Sequence, residues 1–385
     1  MNGYVQEQAA QVQTFGTGLP PVLLALMAVA GFTAGVAAQW LRSRPRPARR
    51  PVDPAEEPRS QEMYVVGAAR HGIYIRQFAA DGLAPENLVS YAVPQEGTPG
   101  QQPVPEPLLP LTTRELNRRI EAMRAKLERT PGAWNAETVA LRQVEVSRTG
   151  SYELPVLKLG YARSDYATFR TVADAWAEHS GSTRLTPGDL QEVQPGLSNS
   201  FGINLTVVTA DGELLLTTRR AKTATAADLR HISVNEGMSV ADEDPETGIP
   251  DPYRTALRGI EEELGADLGA DGRRHINFHS LVCDVTSYEW ALLGHVDLSG
   301  TEWTSAAFRH TRMLGVAPDS WETSNIEFIP FDAEAVQEAL QDDSNWVGHG
   351  YVNLLLSALH RMPGHRSTLL STAHAALAAP ELRAA

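Results

Sequence analysis

The chain has 385 residues, a formal net charge of −14 and one cysteine, Cys283. A lone cysteine excludes an intrachain disulfide, and the acidic balance argues against nucleic acid, whose phosphates call for clustered lysine and arginine. The length is enough to bury at least one sizeable core, and two are expected.

In chain order, the first element is an apolar run. Residues Gln8 to Leu41 carry no charged side chain, and Leu19 to Ala38 are almost wholly apolar. About twenty such residues cross the hydrocarbon core of a bilayer. Arg42, Arg44, Arg46, Arg49 and Arg50 follow at once, whereas the first eighteen residues hold only Glu7. This polarity predicts a single transmembrane helix over 19–41, with residues 1–18 outside the cell membrane and everything after Arg42 in the cytoplasm. A cleaved secretory signal would carry its positive charge before the apolar run. Gly31-x-x-x-Gly35 with Ala38 makes a small-residue stripe that suits pairing into a homodimer and equally suits a lone span. Residues 42–61 mix proline, arginine and glutamate into a semi-extended tether whose arginines face anionic headgroups of the lipid bilayer.

Residues 62–195 are expected as an α+β region flanking the functional core. Met63 to Val93 alternates enough for two or three strands, and residues 94–110, with six prolines, read as a loop. A helix follows: Thr112 and Glu115 form a capping box, Leu116, Ile120, Met123 and Leu127 line one face, and Pro131-Gly132 ends it.

Residues 196–365 carry the functional signal. The stretch from Ile203 to Arg220 predicts two strands joined at Asp211-Gly212. Arg219 and Arg220 close the second strand, where they either reach an anionic ligand or simply end it at the surface. Asp251-Pro252 is a helix start, with an N-cap aspartate and proline at the first helical position. The helix predicted from there runs to Leu264 and stops at Gly265. On it Arg258 and Glu262 lie four apart on one face, with Glu263 beside them. Grouped carboxylates are oxygen ligands for a hard cation such as Mg²⁺, and Arg258 can hold a neighbouring carboxylate by a bidentate contact.

Gly237, Glu243, Arg258, Ile260, Glu262, Glu263 and Gly265 fall in an order that resembles the box of the Nudix hydrolases, G-x5-E-x7-R-E-U-x-E-E-x-G-U, where U is aliphatic. Two departures stand out. Fourteen residues separate Glu243 from Arg258 where the family has seven, and Gly259 stands where the first helix glutamate belongs. A longer loop costs little in closure entropy. Glycine offers no ligand and costs about 1 kcal/mol in a helix interior.

The resemblance implies an α/β fold, a Nudix-type mixed sheet with flanking helices, here preceded by the transmembrane helix. It implies Glu262, Glu263 and Glu243 as ligands of Mg²⁺ or Mn²⁺, Arg258 as their orienting partner, and Gly237, Arg219 and Arg220 on the substrate side. Glu289, Glu322 and Glu327 are candidates for an outlying ligand. The implied activity is cleavage of a diphosphate bond in a nucleoside diphosphate-linked small molecule. The alternative is a degenerate Nudix fold that binds nucleotide as a scaffold or ligand module. Gly259→Glu is expected to tighten Mg²⁺ binding by restoring a carboxylate. A looser likeness joins Tyr161 to Arg170, Leu197 to Gly202, the Asp-Gly hairpin and Arg219-Arg220; it is similar in layout to Nudix enzymes that split UDP-glucose.

Downstream, Phe278 to Val285, Trp290 to Val296 and Ile326 to Phe331 predict further strands. Gly350 to Met362 predicts an apolar helix on the sheet. His349, His360 and His365 lack metal-site spacing and are expected as scattered surface histidines. Residues 366–385 form a tail, whose alanine-rich part after Ser371 is either a last helix or frayed.

Overall fold

The computed structural model describes residues 64–65, 72–79, 82–94, 108–130, 135–147, 156–179, 185, 190–220, 228–269, 271–319 and 323–373. The expected span at 19–41 and the tether at 42–61 lie outside them. Among the described residues no helix is long and apolar enough to cross a membrane.

The described residues build a mixed α/β architecture. Its larger sheet takes β1 (Tyr64–Val65), β2 (Ile73–Phe78), β6 (Phe201–Val208), β7 (Glu213–Arg219), β8 (Arg230–Ile232), β9 (Val234–Gly237), β10 (Ile276–Asp284), β11 (Glu289–Asp297) and β12 (Thr323–Pro330). The order is β1-β2-β10-β11-β6-β7-β12, with β8 on β7 and β9 on β6. β11 and β6 run parallel at its centre, and the other pairs are antiparallel. The flanking region therefore lends the sheet an edge, because β2 pairs with β10. A smaller sheet sets β3 (Leu88–Ala92) parallel to β5 (Val156–Asp165) and β4 (Glu137–Ser147) antiparallel to it.

The apolar runs of the large sheet are long because both faces are covered. Every residue of β6 is buried. Alternate side chains go to opposite cores, as the period of two requires. Leu215 and Leu292 join the core under the box helix, while Leu214, Leu216 and Leu293 join the one under the C-terminal helices.

Helices α1 (Thr113–Arg129) and α2 (Tyr166–His179) pack on one another. Thr112 caps α1 by accepting from the Glu115 amide. The box helix α3 is Pro252–Leu264; Asp251 accepts from the Tyr253 amide at its start, and Gly265 ends it at φ 71°. Its Tyr253, Ala256 and Ile260 enter the first core. Beyond it lie α4 (Ser305–Leu314), α5 (Ala333–Gln341), α6 (Gly348–Arg361) and α7 (Arg366–Thr372).

The expected surface histidines are a correction. His349 is buried in α6, and His360 of the same helix packs at a tilt against His295, whose ring centroid is 4.9 Å away. His279 lies in the same stack, and its Nε2 meets Ser357 Oγ at 3.1 Å. The apolar face of α6 is wide enough to bury the polar residues beside it. Only His365 of the three is exposed.

Candidate active site

Strand β9 leads through a tight turn at Val240–Asp242 into a loop, and α3 returns beside β9. This places Arg258 over the strand end, where it gathers three carboxylates. Its Nε and Nη2 donate to the two oxygens of Asp242 at 2.8 and 2.9 Å. Its Nη1 lies 2.9 Å from Glu262 Oε2 and 2.9 Å from Glu236 Oε1. Nη2 also donates to the Gly237 carbonyl at 2.8 Å. Burial alone would pull the guanidinium down, but its hydrogen bonds to Asp242 and the charges of Glu236 and Asp242 hold it above its usual value.

Glu243, the carboxylate that the box pattern selects, is placed elsewhere. It accepts from Arg163 Nε and Nη2 of β5 at 2.9 and 2.7 Å, bracing the small sheet against the box loop. Asp242, one residue earlier, makes the bidentate pair with Arg258. The turn at 240–242 decides this: Ser239 caps it, and the Asp242 carboxylate accepts from the Ser239 amide at 2.8 Å. Sequence reasoning missed both Asp242 and Glu236. The acidity of Glu236 beside Gly237 and of Asp242 beside Glu243 was the available signal.

Glu263 is held at the strand side, where its Oε1 accepts from the Asn235 amide at 2.8 Å. It borders a recess lined by Thr217, Arg219, His231, Asn235 and Thr323. Arg219 thus shares a recess with Glu263, whereas Arg220 donates to the Thr323 carbonyl at 3.2 Å. His231 is also new; burial, then the charges of Arg219 and His349, lower it to about 3. Of the outlying ligands, Glu289 lies in the electrostatic range of His349 and Arg219, Glu327 pairs with Arg230 at 2.6 Å, and Glu322 is outside the described residues.

Does the donor set suit a divalent cation? Three carboxylates face a single guanidinium, and Glu236 among them is half-buried. Burial raises it to about 7; Arg258 draws it down, and Glu262 and Asp242 push it up. Hard oxygen donors in excess of charge fit Mg²⁺ or Mn²⁺ in type and electrostatics. As placed, the carboxylates turn onto Arg258 and Asn235, and among the described residues no three such side chains are grouped to hold a metal ion.

No family model and no curated protein matches the sequence. Among solved structures, a NUDIX hydrolase from Alicyclobacillus acidocaldarius is similar at 13% identity and TM-score 0.26, over 44% of this chain and 95% of that one. The MutT protein from Methanosarcina mazei Go1 is similar at 12% identity and TM-score 0.23, over 40% and 89%. DR0079 from Deinococcus radiodurans is similar at 13% identity and TM-score 0.24, over 37% and 72%.

Proposed function

We propose that the chain is a membrane-anchored Nudix-type hydrolase that cleaves a diphosphate bond in a nucleoside diphosphate-linked small molecule, with Mg²⁺ or Mn²⁺. One observation carries this: β9 and α3 bring Gly237, Arg258, Glu262 and Glu263 together, with carboxylate in excess of positive charge. The cation would be held by Glu262, Glu263 and a further carboxylate of the cluster, and when bound would offset diphosphate charge and activate water. Arg258 orients Glu262, the Asn235 amide orients Glu263, and Arg219 faces the substrate from the recess. The arginine-flanked run at 19–41 supports the anchor, and protease applied to intact cells should leave the domain after it uncut.

Purified full-length protein should hydrolyse members of a panel of nucleoside diphosphate compounds only with Mg²⁺ or Mn²⁺ present. Glu262→Gln or Glu263→Gln should each lower turnover more than about tenfold, the smallest loss expected when a group around a bound metal is removed. Turnover that survives both substitutions would refute the assignment.

Gly259 favours a second reading, a fold that binds nucleotide without turnover. A nucleotide that raises the melting temperature, with no hydrolysis across the panel, would select it.

A further inference from the structure

Among the described residues four large apolar side chains are exposed, and three of them adjoin. Met313, Leu314 and Val316, at 76, 60 and 55% exposure, form a tip at the end of α4, whose other face is buried through Phe308 and Thr311. Arg309 and His310 precede Met313 and Leu314 by four residues and share their exposed face. Arg309 also rests over the Phe328 ring, 4.5 Å from its centroid. From Ser305 to Pro318 there is no acidic residue, in a chain of net charge −14. The tip is seated on the box helix, which is held closely on two sides. A Cβ at Gly259 would come within 2.8 Å of Glu236 Cβ and Val234 Cγ1 on β9, so Gly259→Glu crowds that strand instead of restoring a ligand. One at Gly265 would come within 2.5 Å of Thr311 Cγ2 on α4. The Asp319 amide, just past the tip, donates to the Glu262 carbonyl at 2.9 Å.

We propose that Met313, Leu314 and Val316 dip into the apolar layer of an anionic bilayer, with Arg309 and His310 at its headgroups. This inference rests on the anchor of the reading above, which keeps the domain beside such a surface. An apolar tip bordered by positive charge, on an acidic protein, matches a partner that is both apolar and anionic. A second copy of the chain suits it poorly, because an isologous pair sets the same basic face against itself. Three side chains also fall short of the about 800 Å² per partner that a stable protein interface buries. A bilayer requires neither that area nor a complementary shape.

The test puts a thiol-reactive fluorophore on full-length Leu314→Cys, reconstituted in phosphatidylcholine vesicles with or without phosphatidylglycerol. Cys283 is fully buried and stays unlabelled in the folded chain. Glu246→Cys is the control, because its exposed loop precedes the start of α3 while the tip packs at the other end. With phosphatidylglycerol present, lipids carrying a nitroxide on the acyl chain should quench the probe at 314 about threefold more than at 246. Adding Arg309→Glu, with the folded circular dichroism spectrum retained, should cut that excess by about half or more. Equal quenching at the two positions, or an excess at 314 that is unchanged without phosphatidylglycerol, would overturn the proposal and leave the anchor standing. An emission shift at 314 that the nitroxide lipid does not quench would assign the tip to a protein partner and overturn it as well. A chain that does not float with the vesicles would overturn both.

Discussion

At residue scale, Asp242 is 2% exposed and takes a bidentate pair of hydrogen bonds from Arg258, while the next side chain, Glu243, reaches Arg163, which is 52% exposed. Burial separates the two pairs energetically. Arg258→Ala leaves a buried carboxylate without its counter-ion, which costs about 3–5 kcal/mol. Arg163→Ala breaks a solvated pair worth about 0–1 kcal/mol. Urea unfolding of the two variants should show that gap, and equal losses would refute Asp242 as the principal partner. The box pattern points to Glu243 because spacing counts residues. It cannot register that a single capped turn swings the preceding side chain inward.

At the scale of elements, the insertion folds on itself. The Asp244 amide donates to the Ile249 carbonyl at 2.8 Å, and the Asp244 carboxylate accepts from the Glu246 and Thr247 amides at 3.1 and 2.9 Å. Glu243 and Pro250 bridge its base, and Pro245 to Gly248 are exposed. Replacing Pro245–Gly248 by Asn-Gly should keep that base and change stability by less than about 1 kcal/mol, since closure entropy varies slowly with loop length. Thermal unfolding checks this, and a variant that fails to fold would show the loop to be part of the packed structure. The helix after it was legible in sequence at both ends, because Asp251-Pro252 and Gly265 act through their own backbone neighbours. Gly259 was not. In sequence it is a helix defect; in the fold it is the point where α3 closes on β9.

Across the whole molecule, buried neutral histidines set the acid limit. Burial, and then neighbouring positive charge, lowers His231 and His295 to about 3 and holds His279 well below its ordinary value. In the unfolded chain each titrates near 6.5. Their folded values are depressed, so the stability tied to their neutral forms is complete above about pH 6.5 and is lost as pH falls toward 3. His231 and His295 can each remove on the order of several kcal/mol, comparable to the net stability of a domain. Glu236, raised to about 7, and Glu289, which burial also raises, act in the opposite sense above about pH 4.5, but they are two groups against three. The urea midpoint should therefore fall between pH 6.5 and 4, and a flat profile would count against this burial. His295→Gln should shallow the slope.

The sequence by itself determined where most helices and strands form. Apolar runs of strand length mark β6, β7, β10 and β11, and the Asp211-Gly212 turn is realised with Gly212 at φ 82°. Such signals are local, acting between residues a few positions apart. Only the tertiary structure decided which carboxylates meet Arg258, why Gly259 must be small, that β1 and β2 extend the main sheet, and that His349 of α6 is buried. The first two join α3 to β9 and the turn after it, 16 or more residues back in the chain, and the others depend on a sheet order whose parallel pair, β11 and β6, joins segments nearly ninety residues apart. No local window of sequence contains both partners of such a contact.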